Sequence, residues 1–201
     1  MGYLRGLDSY LKQNYDRNIF KEFKLQNRVL HFHLAGHQEL TRKIKKVVTF
    51  DLDLIDRERQ VTRYPKLHIK FYYPVKIKEA IRPLLDTDPE VVAMNLPPLR
   101  HIPERHHIKN KTLYHLMRER QAVVITLLDG DVLRGFIDDF TRYEIFLKFH
   151  DNLRIVVLRH AVLRFTDFRG RNMLKEFQET ARDWEKSSLW VDEDAEEENP
   201  Q

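Results

Sequence analysis

A set of apolar positions recurs in this chain at a constant separation of 93 residues, and it constrains the fold more than any other feature. At that offset Phe32 meets Ile125, Leu34 meets Leu127, Leu40 meets Leu133, Ile44 meets Ile137 and Val47 meets Phe140. Phe50 meets Tyr143, Leu52 meets Ile145 and Leu54 meets Leu147. The matches need no gap and keep a period of two. In a strand, a slip of one residue would turn every side chain to the other face, so the phase carries information. Two copies of one small β unit are expected. After Leu54 the first copy reads as taking a longer excursion, residues 55–66, before the apolar run Leu67, Ile69 and Phe71.

The later copy is the easier to read. Leu113, Leu116 and Met117 recur at helical spacing behind Thr112, a candidate N-cap. Val123, Ile125 and Leu127 then alternate with Val124, Thr126 and Leu128 as far as an Asp129-Gly130 turn. Leu133, Gly135 and Ile137 carry a second strand, and a glycine at its centre permits a sharp bend. A third strand holds Tyr143, Ile145 and Leu147, a fourth spans 155–158 and a short fifth spans 162–165. Strands this short and closely spaced exclude a parallel α/β sheet. The fold class expected is mainly β with flanking helices. It comprises two tandem, five-stranded, strongly bent antiparallel barrels, each preceded by an N-terminal helix.

Five of the eight prolines (Pro83, Pro89, Pro97, Pro98, Pro103) fall between the copies and mark a linker. Its Leu84, Leu85, Val91, Val92, Met94 and Leu96 call for burial, so partial order is expected. The division is then 1–80 for the first copy, 81–108 for the linker and 109–168 for the second copy. Residues 169–190 read as an amphipathic helix and 191–201 as an acidic disordered tail. Residues 7–23 read as helical, with Tyr10, Leu11, Tyr15 and Phe20 available for packing.

The net charge of +4 conceals a more basic body, because six acids lie within 192–198 and no lysine or arginine lies beyond 190. Without that tail the charge is +10, which attracts polyanions, nucleic acid first. The absence of cysteine excludes disulfides, thiolate metal sites and cysteine nucleophiles. No apolar run approaches the roughly 20 residues that span a bilayer, and residues 1–17 lack the apolar core of a signal peptide. No membrane association is expected, and the cytoplasm is the expected location.

From Leu113 to Phe165, about a quarter of the chain, the sequence resembles the Hfq family of bacterial RNA chaperones, in the Sm-like superfamily. The resemblance rests on Arg118-Glu119-Arg120 just before the first strand, then LLDGDVLRGFIDDF, then Leu158-Arg159-His160-Ala161-Val162. It implies tandem Sm-like barrels. It also implies a uridine pocket at Tyr143, Arg159 and His160, in which an aromatic face stacks a base and the basic pair supplies donors. Arg118 and Arg120 match a basic rim that contacts RNA backbone, with Met117 at a third position that is basic in the family. The first copy offers Phe50 at the aromatic position and Tyr72-Tyr73 where the basic pair would be. The family's adenine-binding face is altered, with Thr126, Arg134 and Asp131 at its positions.

Family rings close by antiparallel pairing of the fourth strand of one barrel with the fifth of the next. Two barrels per chain therefore suggest a homo-trimer forming a six-barrel pseudo-ring. Against that ring, His37 and Arg42 replace the motif glycines in the first copy, and Pro74 removes a donor near the pairing edge. The acidic tail could fold back on the basic rim.

Phe50-Asp51-Leu52-Asp53-Leu54-Ile55-Asp56 superficially resembles a phosphatase paired-aspartate motif, but in a strand Asp51 and Asp53 simply face outward. His31, His33 and His68 could share a sheet face and His101, His106 and His107 lie in the linker, a placement too scattered to predict a metal site. No enzyme, cofactor or small-molecule substrate is expected. The reading is an RNA-binding, Hfq-like protein that captures uridine-rich single strands and promotes RNA pairing in post-transcriptional regulation. The alternative is an Sm-fold protein-interaction or assembly module without RNA readout.

Overall fold

Alternating apolar residues pair into antiparallel ladders over two stretches, 29–74 and 122–167. The computed structural model describes residues 2–150 and 153–192. In chain order, β1 (Gly2–Leu4), α1 (Leu7–Asn14) and α2 (Ile19–Leu25) precede a five-strand unit: β2 (Val29–Leu34), β3 (Gln38–Val47), β4 (Asp51–Ile55), β5 (Val61–Pro65) and β6 (Ile69–Pro74). A connecting segment holds α3 (Lys78–Ile81), β7 (Asp86–Thr87) and α4 (Pro89–Met94). Then come α5 (Asn110–Arg118), β8 (Ala122–Leu127), β9 (Asp131–Phe140), β10 (Glu144–Lys148), β11 (Arg154–Leu158) and β12 (Val162–Asp167), with β13 (Trp190–Asp192) last.

Each strand from β2 to β6 recurs with both its ends displaced by 93 residues as β8 to β12. The irregularities recur too. The ladder slips between Asp53 and Leu54 against β3, and between Phe146 and Leu147 against β9. It slips again between His33 and Leu34, and at the matching place between Thr126 and Leu127. Asn27 and Arg120, another matched pair, both take left-handed backbone angles after their helices. The matched turn residues His37 (φ 58°) and Gly130 (φ 97°) do likewise. His37 therefore performs the turn for which glycine is the usual choice. At Gly135 a Cβ would lie 2.6 Å from the Lys148 carbonyl, so the close approach of β9 and β10 requires glycine.

The excursion expected at 55–66 is not an insertion. It contains β5, which pairs along its length with β4. Four of its five residues are exposed, so it carries no alternating apolar signature. Tyr72 and Tyr73 accordingly belong to the fifth strand, and the positions matching Arg159-His160 are Lys66-Leu67.

Neither unit closes into a barrel. The strands run as one open sheet in the order β12-β8-β9-β10-β11-β6-β2-β3-β4-β5, with β7 added beside β9. The edge of β11 that would complete closure on β12 is taken by β6, through Val156 opposite Tyr72 and Val157 opposite Phe71. Both cores cross this seam. Phe71 and Tyr73 join the core of the second half, while Phe146, Val156 and Leu158 join that of the first. Lys70 of β6 adds a buried ion cluster across the same boundary, bonding Asp129 at 2.5 Å and also Asp131.

The flanking segments depart from expectation in specific ways. Residues 7–23 form two helices, because Asn18 breaks the run and caps α2 through Lys21 N–H. Only α2 occupies the place before its own unit. Helix α1 covers the second half, where Tyr10 packs 4.8 Å from Phe140. The proline-rich segment is docked, with Ile81 and Val91 buried, although Val92 and Met94 remain exposed. The long helix expected over 169–190 is absent. Gly170 and Arg182 take left-handed angles and only short 3-10 turns form, at Lys175–Gln178 and Asp183–Lys186. There Gln178 and Asp183 satisfy each other's polar groups at 3.0 Å, replacing the backbone bonds of a helix. Residues 191 and 192 pair with β1, and the rest of the acidic tail, 193–201, lies outside the described residues. Among the described residues no helix is long and apolar enough to cross a membrane.

Candidate nucleic-acid interface

The turn into β10 fixes one of the exposed aromatics of the second half. The Thr141 hydroxyl accepts from the N–H groups of Tyr143 and Glu144, and its proton goes to the Glu144 carboxyl group. That arrangement turns Tyr143 outward, 63% exposed, while its carbonyl accepts from Arg159 N–H at 2.9 Å. The first half repeats the geometry with Phe50, 79% exposed, whose carbonyl accepts from Lys66 N–H at 2.8 Å. An outward aromatic beside a basic residue is thus built into both units.

Tyr143, Arg159 and His160, the positions named by the resemblance, line one cleft of about 510 Å³. Its walls also contain Tyr15, Arg105, Lys109, Arg142 and Lys175 and no carboxylate. Arg142 lies over the Tyr15 ring at 5.3 Å, and Lys109 over Trp184 at 5.0 Å. Arg159 donates to Asn110 Oδ1 at 3.2 Å and sits over Phe140, leaving Nε and one terminal nitrogen buried without a hydrogen-bond partner. Burial pulls its pKa down to about 10, which leaves the guanidinium charged at neutral pH.

His160 has a different employment. Its Nε2–H donates to the Leu67 and Ile69 carbonyls, each at 3.1 Å, so that nitrogen is committed to the backbone of the other half. Burial, with help from the nearby Arg105 charge, pushes the imidazole down to about 4 and keeps it neutral. His160 is better described as joining the units than as a donor to a ligand. Its counterpart is Leu67, and Lys66 spends its ammonium on the Val48 and Thr49 carbonyls at 2.6 and 2.9 Å. The first half therefore keeps the aromatic but not an open basic pocket.

Arg118 and Arg120 are exposed but line a separate, larger cleft of about 930 Å³ with Tyr10, Lys148 and Arg154. Asp138 and Asp139 share that cleft, paired to Arg154 at 2.8 Å and Arg17 at 2.7 Å. Rim and pocket are thus not one continuous basic surface. The positions matching Arg118 and Arg120 in the first half are Leu25 and Asn27, so the rim is confined to one unit. On the altered adenine face, Arg134 is held by Asp86 at 2.8 Å and Asp131 by Lys70. Asp53 pairs with Arg63 on the neighbouring strand at 2.7 Å, a cross-strand ion pair.

Sequence reasoning missed Tyr15, Arg105, Lys109, Arg142 and Lys175, which arrive from four separate segments. The one local signal was the basic stretch at 105–107, which lay in a segment read as linker. The chain matches no protein-family model, and no match is found among curated proteins.

Proposed function

We propose that this chain is a non-enzymatic, cytoplasmic single-stranded RNA-binding protein built from two Sm-like units, with uridine-rich RNA as ligand. The observation that carries the reading is the exposed Tyr143 at a basic cleft free of carboxylates. A base can stack on Tyr143, the buried guanidinium of Arg159 places a positive charge in the cleft wall behind it, and Lys109, Arg142 and Lys175 can follow the backbone.

The Sm-like assignment draws support from the strand order 5-1-2-3-4 in each half and from the seam, which joins a fourth strand to a fifth. The same kind of edge remains at both ends, the fourth strand β5 and the fifth strand β12. Head-to-tail pairing of those edges in three chains would make a six-unit ring.

Titration of oligouridine, oligoadenine and duplex DNA at two salt concentrations tests the RNA reading. Oligouridine should bind best and weaken with salt. Tyr143→Ala should cost about 1–3 kcal/mol of that affinity, as loss of one stacked base does. Equal binding of all three ligands, or none at low salt, would instead leave the fold as an assembly module without RNA readout.

A further inference from the structure

Strand alternation places His31 and His33 on one face of β2, and the ladder sets Thr41 opposite His31 and Glu39 opposite His33. On the other side, Tyr73 of β6 lies opposite His31. Both imidazoles are buried, whereas Glu39 is half exposed at the rim, so the cluster has a route to solvent. His31 Nε2 lies 3.0 Å from one Glu39 oxygen, and His33 Nδ1 lies 3.7 Å from the other. The two ring nitrogens and the carboxylate fall within 4.8 Å of one another.

The far side of each ring is also held. His31 Nδ1 is 2.8 Å from the Thr41 hydroxyl, and His33 Nε2 is 3.0 Å from the Tyr73 hydroxyl. In the metal-free chain His31 Nε2–H donates to the Glu39 carboxylate at 3.0 Å; an ion at that position would displace the proton, and with Nδ1–H of His31 donated to Thr41 and Nε2–H of His33 to Tyr73 both near lone pairs would then face it. Metal-binding histidines are oriented by outer partners in this way. The Phe71 ring fixes His33 further, stacked at 4.0 Å.

We infer that His31, His33 and Glu39 form a binding site for a divalent ion of the zinc class, with Thr41 and Tyr73 as positioning residues. Two imidazoles and one carboxylate make a donor set suited to such ions, leaving one coordination position for water. Ligand atoms around tetrahedral zinc stand about 3.3 Å apart, so the cluster, within 4.8 Å, needs a contraction of about 1.5 Å at its widest. Lys78, 3.8 Å from Glu39, is partly exposed and free to swing toward solvent when the ion replaces its charge.

The other half supplies an internal contrast. At the positions of His31, His33, Glu39, Thr41 and Tyr73 it has Val124, Thr126, Val132, Arg134 and Thr166. Neither histidine nor carboxylate survives there, although the backbone register is the same. The grouping therefore belongs to one unit and is not a requirement of the fold. His68, which the sequence placed with this pair, is exposed on the turn before β6 and takes no part.

The test is titration of the metal-stripped full chain with Co(II), followed by its visible absorption, and displacement by Zn(II). One ion per chain is expected, with an absorption band of low-coordinate Co(II) that Zn(II) removes. Glu39→Gln, at an exposed position that leaves folding intact, should weaken binding tenfold or more. His31→Gln with His33→Gln should abolish it, and Tyr73→Phe should weaken it about 10- to 100-fold while preserving the band shape. His106→Gln with His107→Gln should bind as wild type. Absence of the band at excess Co(II), or wild-type affinity in Glu39→Gln, overturns the site.

Discussion

Replacing Glu144 with glutamine should stabilise the protein in mild alkali and have little effect in acid. Glu144 is buried beside Tyr143, with its carboxyl group against the Thr141 hydroxyl. Burial outweighs the attraction of Arg159 and Lys66 and pushes its pKa from 4.5 up to about 7. The folded chain therefore holds this proton more tightly than the unfolded chain. Between pH 4.5 and about 7 the folded state binds more protons, so stability falls as pH rises through that window. At about 1.4 kcal/mol per pH unit the loss reaches about 3 kcal/mol as a ceiling, and it is fully developed above pH 7. Glutamine accepts the same hydroxyl proton and carries no charge, so it escapes the loss. Urea unfolding of both proteins at about pH 4 and pH 8 measures the difference through the midpoint at constant slope. Glu144→Gln should gain about 1–3 kcal/mol at the higher pH and close to nothing at the lower. A difference independent of pH, or a glutamine variant weaker at pH 8, would refute the reasoning.

Lys70→Met should cost about 3–5 kcal/mol, because it leaves the carboxylates of Asp129 and Asp131 buried without their cation; chemical denaturation reads this directly, and a loss below about 1 kcal/mol would discount the cluster. If chains join as the internal seam does, the register carried over 93 residues sets Tyr64 opposite Arg164 of the next chain. Tyr64→Cys with Arg164→Cys, in a chain otherwise free of cysteine, should then form intermolecular disulfides on oxidation and give a species near three chains in mass. Monomer at all concentrations would remove the ring.

What the sequence disclosed follows from how strongly each element buries one face. Phe32, Leu52 and Leu54 are fully buried and announced the repeat, as did Ile125, Ile145 and Leu147. Strand β5 buries little, so Val-Thr-Arg-Tyr-Pro reads as a loop and the first copy's basic position was assigned to the wrong strand. Met173, Leu174, Phe177 and Trp184 have helical spacing, yet Phe177 is exposed and polar side chains of Gln178 and Asp183 divide the segment. Tyr143 and Arg159 were paired by the resemblance alone, and the bond from Arg159 N–H to the Tyr143 carbonyl holds the two turns together. The rest of the basic cleft depends on where distant segments dock, which no local pattern encodes. The convergence of Glu39 on His31 and His33 was equally hidden, because it depends on the register of β2 against β3.

The constant 93-residue displacement has a consequence for how this molecule can change. In a ring of identical subunits every substitution is imposed on all positions at once, so a new site must be compatible with the old one sixfold. Here one backbone is written twice in a single chain, and each copy can be altered without touching the other. The two have already parted: Tyr143 and Arg159 face a basic cleft where Phe50 and Lys66 do not, and His31, His33 and Glu39 cluster where Val124, Thr126 and Val132 stand. A backbone written twice in one chain can hold two unlike arrangements of side chains at fixed separation, each free to specialise.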